Sequence, residues 1–203
     1  MVSQFRYGID KLSVSTALEI ANGNLKAVLC PEAVSKINHS AEQVKEIVEG
    51  GRTVYGVNTG FGILANTGIS KEDTATLQYK ILQSHSVGVG DAIAVEVARL
   101  MLITKVQALA QGFSGVQLST IERIIWHIEN HVTPVVPKKG SVGASGDLAP
   151  LSHLFLPLIG LGEVFYQGKK MQTAEVLKSF QMNPVQLGAK EGLALINGTQ
   201  FIL

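Results

Sequence analysis

Gly140-Ser141-Val142-Gly143-Ala144-Ser145-Gly146-Asp147-Leu148-Ala149-Pro150-Leu151-Ser152-His153 is the stretch from which the rest of this 203-residue chain takes its meaning. Three glycines, Gly140, Gly143 and Gly146, free the backbone to adopt positive φ and to approach itself closely. An apolar segment follows at once, with Pro150 in its first turn, where early helix N–H groups lack intrahelical partners. Asp147 is placed to cap that helix. The pattern predicts a tight loop set on a helix N-terminus, where the dipole favours negative charge.

Such a loop permits backbone chemistry. The amide nitrogen of Gly146 can attack the carbonyl carbon of Ala144, because glycine has no Cβ to block the approach. Ring closure releases one water, and the Ser145 hydroxyl leaves as a second, giving an exocyclic methylene. The product would be a methylideneimidazolone, an electrophile made from Ala144-Ser145-Gly146 itself. A purely structural loop of small residues is the alternative. At these residues the sequence resembles the aromatic amino acid ammonia-lyase family, whose members carry GxxGASGDLxPL and build this group from Ala-Ser-Gly. The resemblance implies a mainly α fold. It would be the helical, fumarase/aspartase-like N-terminal domain of such a lyase, with a few short strands and a glycine-rich prosthetic-group loop.

Three further blocks extend the resemblance over essentially the whole chain. Tyr55-Gly56-Val57-Asn58-Thr59-Gly60-Phe61-Gly62 is similar to the family's mobile active-site loop, and the match carries acid/base catalysis to Tyr55. On the residues alone, Tyr55 reads as a loop tyrosine packed over glycines. Ser84-His85 falls in the segment that contacts the substrate side chain in the family. A Ser-His pair there resembles the histidine-specific members, although some bacterial tyrosine lyases share it. Read alone, His85 is a helix-end histidine, a favourable place for a cation. Glu191-Gly192-Leu193-Ala194-Leu195-Ile196-Asn197-Gly198-Thr199 matches the family's EGLALINGT. There the asparagine lies near the prosthetic group and the substrate carboxylate, and its amide offers both donor and acceptor. The bland reading of Asn197 is a helix-interrupting Asn-Gly.

Composition sets the outer limits. Hydrophobic residues make up 46% of the chain and charged residues 16%, so a large core is available. No apolar run approaches a membrane span; Leu154 to Leu161 is the longest conspicuous one and contains Pro157 and Gly160. No secretory signal pattern opens the chain. A single cysteine, Cys30, excludes an internal disulfide and suits a reducing, cytoplasmic setting. With a formal charge of +1 and no basic stripe, nucleic-acid binding is not expected. The chain ends in mid-pattern, so residues 1–203 are expected to form the prosthetic-group-bearing N-terminal domain plus the start of a central helical bundle, with the family's C-terminal half absent.

The coarse pattern is helical. Helices are expected over Asp10 to Ala21, Pro31 to Glu49, Ser70 to about Ser86, Ala92 to Phe113, Ile121 to Asn130 and Leu151 to Gly160. A hairpin is expected around Gln167-Gly168, then a short helix capped by Thr173. Ser119-Thr120-Ile121-Glu122 has the form of a capping box. Two decoys stand out. Gly60-Phe61-Gly62-Ile63-Leu64-Ala65 fits the dinucleotide fingerprint but is broken by Asn66-Thr67-Gly68. His127 and His131 have metal-pair spacing but no third ligand, so a solvated helix face is expected and no metal. His153 reads as a structural hydrogen-bonding residue.

The resemblance implies elimination of ammonia from L-histidine to give urocanate, a small-molecule amino acid substrate, no external cofactor, and a homo-oligomer, tetrameric in the family. Tyr55 would act as acid/base, His85 with Ser84 would orient the substrate, and Asn197 would hold the electrophile or carboxylate. Tyrosine or phenylalanine lyases and aminomutases of the same family remain alternatives. A serine hydrolase is disfavoured, because Gly143-Ala144-Ser145-Gly146-Asp147 lacks the last glycine of the nucleophile elbow. A non-catalytic helical interaction module is the other class.

Overall fold

The computed structural model describes residues 4–51, 54, 56, 57, 59, 71–143 and 146–202, without the side chains of residues 71, 72, 74 and 75. Tyr55, Ala144, Ser145 and the dinucleotide-like stretch 60–65 lie outside the described residues.

The chain opens with β1 (Phe5–Arg6), followed by α1 (Val14–Ala21), β2 (Ala27–Val28) and α2 (Pro31–Glu49). β1 and β2 pair in parallel. Helix α1 starts later than Asp10 because the Ser13 side chain accepts from the Thr16 amide and fixes the N-terminus there. Asp10 instead forms an ion pair with Arg6 at 2.6 Å. α2 has the expected bounds, with Pro31 in its first turn.

Helix α3 (Lys71–His85) leads into β3 (Val89–Ala92), then α4 (Val95–Leu109) and α5 (Leu118–Glu129). α4 is the central post. Met101, Leu102, Ile103 and Val106 are all buried, and the helix packs between α1 and α5. It starts later than the apolar pattern predicted, because Ala92 is drawn with Val89–Asp91 into an antiparallel pair with β5 (Pro137–Lys139), and it ends at Leu109, short of Phe113. α5 also departs from expectation. Its N-cap is Gln117, and Ser119 lies inside the helix rather than capping it. The Gln117 amide is taken by Glu191 at 2.9 Å, so a distant carboxylate does the work assigned to a local hydroxyl.

β4 (Thr133–Pro134), β6 (Glu163–Tyr166) and β7 (Lys169–Gln172) form an antiparallel sheet in the order β4-β6-β7. Gln167 and Gly168 both have positive φ, 50° and 72°, as a two-residue hairpin turn requires. α6 (Leu148–Phe155) begins earlier than predicted and passes into a 3₁₀ turn, Leu156–Ile159, instead of running to Gly160. Pro157 explains the change, since it supplies no N–H to continue the α-helical ladder. α7 (Thr173–Ser179) and α8 (Glu191–Ile196) complete the order. Thr173 is the first residue of α7, and its hydroxyl donates to the Gly162 carbonyl at 2.9 Å rather than capping.

One apolar core runs from Phe5 to Ile196; a smaller one groups Val132, Val164 and Val176 with Trp126 and Phe180. No helix among the described residues is long and apolar enough to cross a membrane.

Candidate active site

Helices α3, α6 and α8 pack against one another in all three pairings. Each carries one of the sequence blocks at an end: Ser84 and His85 close α3, Gly146 and Asp147 precede α6, and Asn197 closes α8. The join between α3 and α8 explains the glycine in Glu191-Gly192. Its amide donates to Gln78 Oε1 at 2.9 Å, and an added Cβ would lie 2.5 Å from Ile81.

Gly146 has φ 98°, and a Cβ there would begin 2.4 Å from the Gly198 carbonyl oxygen. Only glycine satisfies both conditions. The next amide, that of Asp147, donates to the same carbonyl at 2.7 Å. Asp147 occupies the N-cap position of α6, but its side chain makes no cap bond. Its carboxylate is fully buried and accepts from the Ser141 hydroxyl at 2.8 Å and the Phe201 amide at 2.9 Å. The expected cap is thus a brace between the loop's entry, its exit and the segment after α8. This cradle fits a loop whose third ring residue must be glycine; Gly146, Asp147 and the Gly198 carbonyl are the described atoms that would hold it.

The other side of the loop rests on the chain after His85. A Cβ on Gly140 would stand 2.9 Å from Gly88 Cα, so two glycine backbones are in close approach there. The Gly88 amide donates to His153 Nε2 at 3.0 Å, which requires an unprotonated Nε2. Burial lowers the His153 pKa in the same sense. His153 is therefore the structural hydrogen-bonding residue the sequence indicated. His85 is half-buried, and its Nδ1 donates to the Ile81 carbonyl at 2.9 Å, with the exposed Ser84 hydroxyl 3.1 Å from the same nitrogen. In the neutral ring this tautomer leaves Nε2 with its lone pair. The Asn197 side chain is exposed, while its carbonyl accepts from Lys105 Nζ at 2.8 Å.

Lys105 and Glu191 were not singled out from sequence. Lys105 is buried on α4, and burial lowers its pKa to about 7. The signal was its register, since Ala98, Met101, Leu102, Lys105 and Leu109 follow the spacing of a buried stripe. Glu191 is buried at the start of α8, accepting from the amides of Gln117 and Gly188 and from Gln117 Nε2 at 2.7 Å. Burial raises its pKa despite those bonds.

The histidine pair is corrected. α5 ends before His131, so the two do not share a helix face. His127 is buried rather than solvated, with Nδ1 donating to the Val132 carbonyl at 2.9 Å and its pKa lowered by burial to about 4. His131 has positive φ, and its Nδ1 accepts from Arg99. Among the described residues no group of three His, Cys, Asp or Glu side chains is placed to hold a metal. A groove of about 700 Å³ beside α2, lined by Val44, Val48, Gln117 and Glu191, touches the motif blocks only through Glu191 and contains none of His85, Gly146 and Asn197.

Gly146 and Asp147 at the head of α6 thus pack on the chain just beyond α8, in a mainly helical frame. The chain belongs to the aromatic amino acid lyase family, whose model matches residues 12–203. It is 50% identical over 189 residues to the histidine ammonia-lyase of Shewanella oneidensis, covering 93% of this chain and 37% of that protein. It is 46% identical over 190 residues to the histidine ammonia-lyase of Vibrio cholerae, covering 94% of this chain and again 37% of the relative. The chain thus spans little more than a third of the length of these curated relatives. The crystal structure of histidine ammonia-lyase from Trypanosoma cruzi superposes with a TM-score of 0.90 at 35% identity, over 98% of this chain and 39% of that one. Tyrosine aminomutase from Streptomyces globisporus gives 0.89 at 34% identity, over 98% and 38%. The mainly α fold expected from the sequence agrees with these structures.

Proposed function

We propose that this chain is the prosthetic-group-bearing portion of an ammonia-lyase that eliminates ammonia from L-histidine to give urocanate. The observation that carries the reading is the close packing of Gly146 and Asp147 on Gly198, the residue that follows Asn197. The histidine ammonia-lyase relatives, up to 50% identical, supply the substrate.

Ring closure joins Gly146 N to the Ala144 carbonyl carbon. The Ala144 oxygen leaves as water with the amide hydrogens of Ser145 and Gly146. The Ser145 Cα hydrogen and hydroxyl leave as the second water. The finished ring supplies an electrophilic methylene that makes the substrate amine a better leaving group by covalent catalysis. His85 Nε2 orients the substrate side chain, with Ser84 beside it, and the Asn197 amide holds the carboxylate or the ring carbonyl. Tyr55 moves the β-proton. A tyrosine of ordinary pKa about 10 needs neighbouring positive charge or helix N-termini to ionise.

The full enzyme is a cytoplasmic homotetramer in this reading, with no external cofactor. Residues 1–203 form the N-terminal domain and the start of the helical bundle. Exposed Val87, Val89 and Val142 flank the loop and suit a face covered on assembly. A high-resolution mass of the Lys139 to His153 peptide tests the ring directly: loss of two waters supports it, and an unmodified peptide overturns it for this chain. Urocanate release from L-histidine by the full-length protein tests the reaction. The likeness to tyrosine aminomutase favours a second reading, which product analysis with L-tyrosine separates.

A further inference from the structure

Lys105 is 2% exposed, and its Nζ donates to the Asn197 carbonyl at 2.8 Å. The Phe155 ring lies 6.0 Å from the ammonium, and no carboxylate pairs with it among the described residues. Desolvation is the cause of its lowered pKa, with no opposing charge to offset it. Keeping an ammonium in such a place is costly, and packing alone would be served as well by methionine.

The placement shows what the charge does. Asn197 closes α8, where carbonyls lack intrahelical partners and the dipole favours a cation. One residue further, the Gly198 carbonyl accepts the Asp147 amide and stands against Gly146. The opposite end of α8 carries the buried Glu191. This six-residue helix is too short to hold itself and is fixed at both termini by buried side chains of complementary sign.

We propose that Lys105 is a positioning residue: by fixing the Asn197 carbonyl it sets the Asn197-Gly198 turn against which Gly146 and Asp147 are held, and so sets the loop geometry for ring closure at Ala144-Ser145-Gly146. The last step rests on the ring reading above. The bracing of Asp147 does not.

Residue-resolved amide hydrogen exchange on the wild-type chain and on Lys105→Met tests it, together with thermal melting and the mass of the loop peptide. In the wild type the Asp147 amide exchanges as slowly as the core amides of α4. In Lys105→Met the Asp147 and Phe201 amides exchange about tenfold faster or more, the size expected for losing one charge-assisted hydrogen bond. Protection in α2 and α5 stays unchanged, the melting temperature does not fall, and the cyclised fraction of the loop drops by a similar factor. A purely packing role would lower the melting temperature and spare the loop. Unchanged exchange at Asp147 in the variant overturns the proposal. So does an Asp147 amide already open in the wild type, or a loss of protection spread over α2 and α5. An uncyclised loop in the wild type overturns the ring reading and leaves the Asp147 exchange to decide Lys105.

Discussion

The amide of Asp147 donates to the carbonyl of Gly198 at 2.7 Å, joining the head of α6 to the chain just beyond α8. The glycine before it and the carboxylate it carries are the parts of the site where single substitutions have the clearest outcomes.

Gly146→Ala places a methyl group 2.4 Å from the Gly198 oxygen at a residue with φ 98°. The segment must shift, at a cost of about 1–3 kcal/mol for a non-glycine residue held in that backbone region. Urea unfolding measures the loss, and the loop peptide of this variant retains both waters.

Asp147→Asn keeps one acceptor oxygen but turns an NH₂ toward either the Ser141 hydroxyl or the Phe201 amide. The Phe201 amide cannot reverse its role, so the oxygen faces it and the NH₂ donates to the Ser141 hydroxyl, and both bonds lose the charge that strengthened them. A loss of about 1–3 kcal/mol is expected. Ser141→Ala removes only one bond and costs less; chemical denaturation of the two variants ranks them.

Acid lowers the stability of this fold through its buried imidazoles. His127 has a folded pKa of about 4 against 6.5 in the unfolded chain, so the unfolded state binds the extra proton between those values. Its contribution is complete above pH 6.5 and is lost as pH falls toward 4, about 3 kcal/mol in all. His153 and His131, also lowered, act in the same sense. Glu191 is raised and opposes them, losing stability as pH rises above the ordinary carboxylate range. Stability curves of wild type and His127→Gln between pH 4 and pH 7 are expected to converge toward the acid end.

On the alkaline side Lys105 governs. Its folded pKa of about 7 lies below the unfolded value of 10.5, so the unfolded chain holds the extra proton between them. Stability therefore rises with pH from neutrality toward pH 9. Lys105→Met removes this slope, which a pH series of melting temperatures reads directly.

The fold was legible wherever one local signal sufficed. Pro31 and Gly50 bound α2, and Gln167-Gly168 turned the hairpin. It was less legible where a distant partner decided. Ala92 reads as a helix start in isolation but pairs with Pro137, and Ser119 lost its capping role to Glu191. In the site, the motif blocks named Gly146, His85 and Asn197; the structure joins Gly146 and Asp147 to Gly198, and the chain after His85 to Gly140 and His153. Asp147 was noticed for the wrong reason, since a short-range cap is easily read and a carboxylate shared with Phe201 is not. Lys105 was passed over because a lysine in an apolar helix reads as an interruption, although its register marked it as buried.

The Asp147 brace has a consequence for the order in which the chain is made. Gly146 leaves the ribosome well before Gly198 and Phe201, the two residues whose backbones grip it and its neighbour. Until they follow, Gly146 and Asp147 lack the backbone partners that hold them. The turn at Gly146 and Asp147 is thus fixed only after the core around α4 has had time to form.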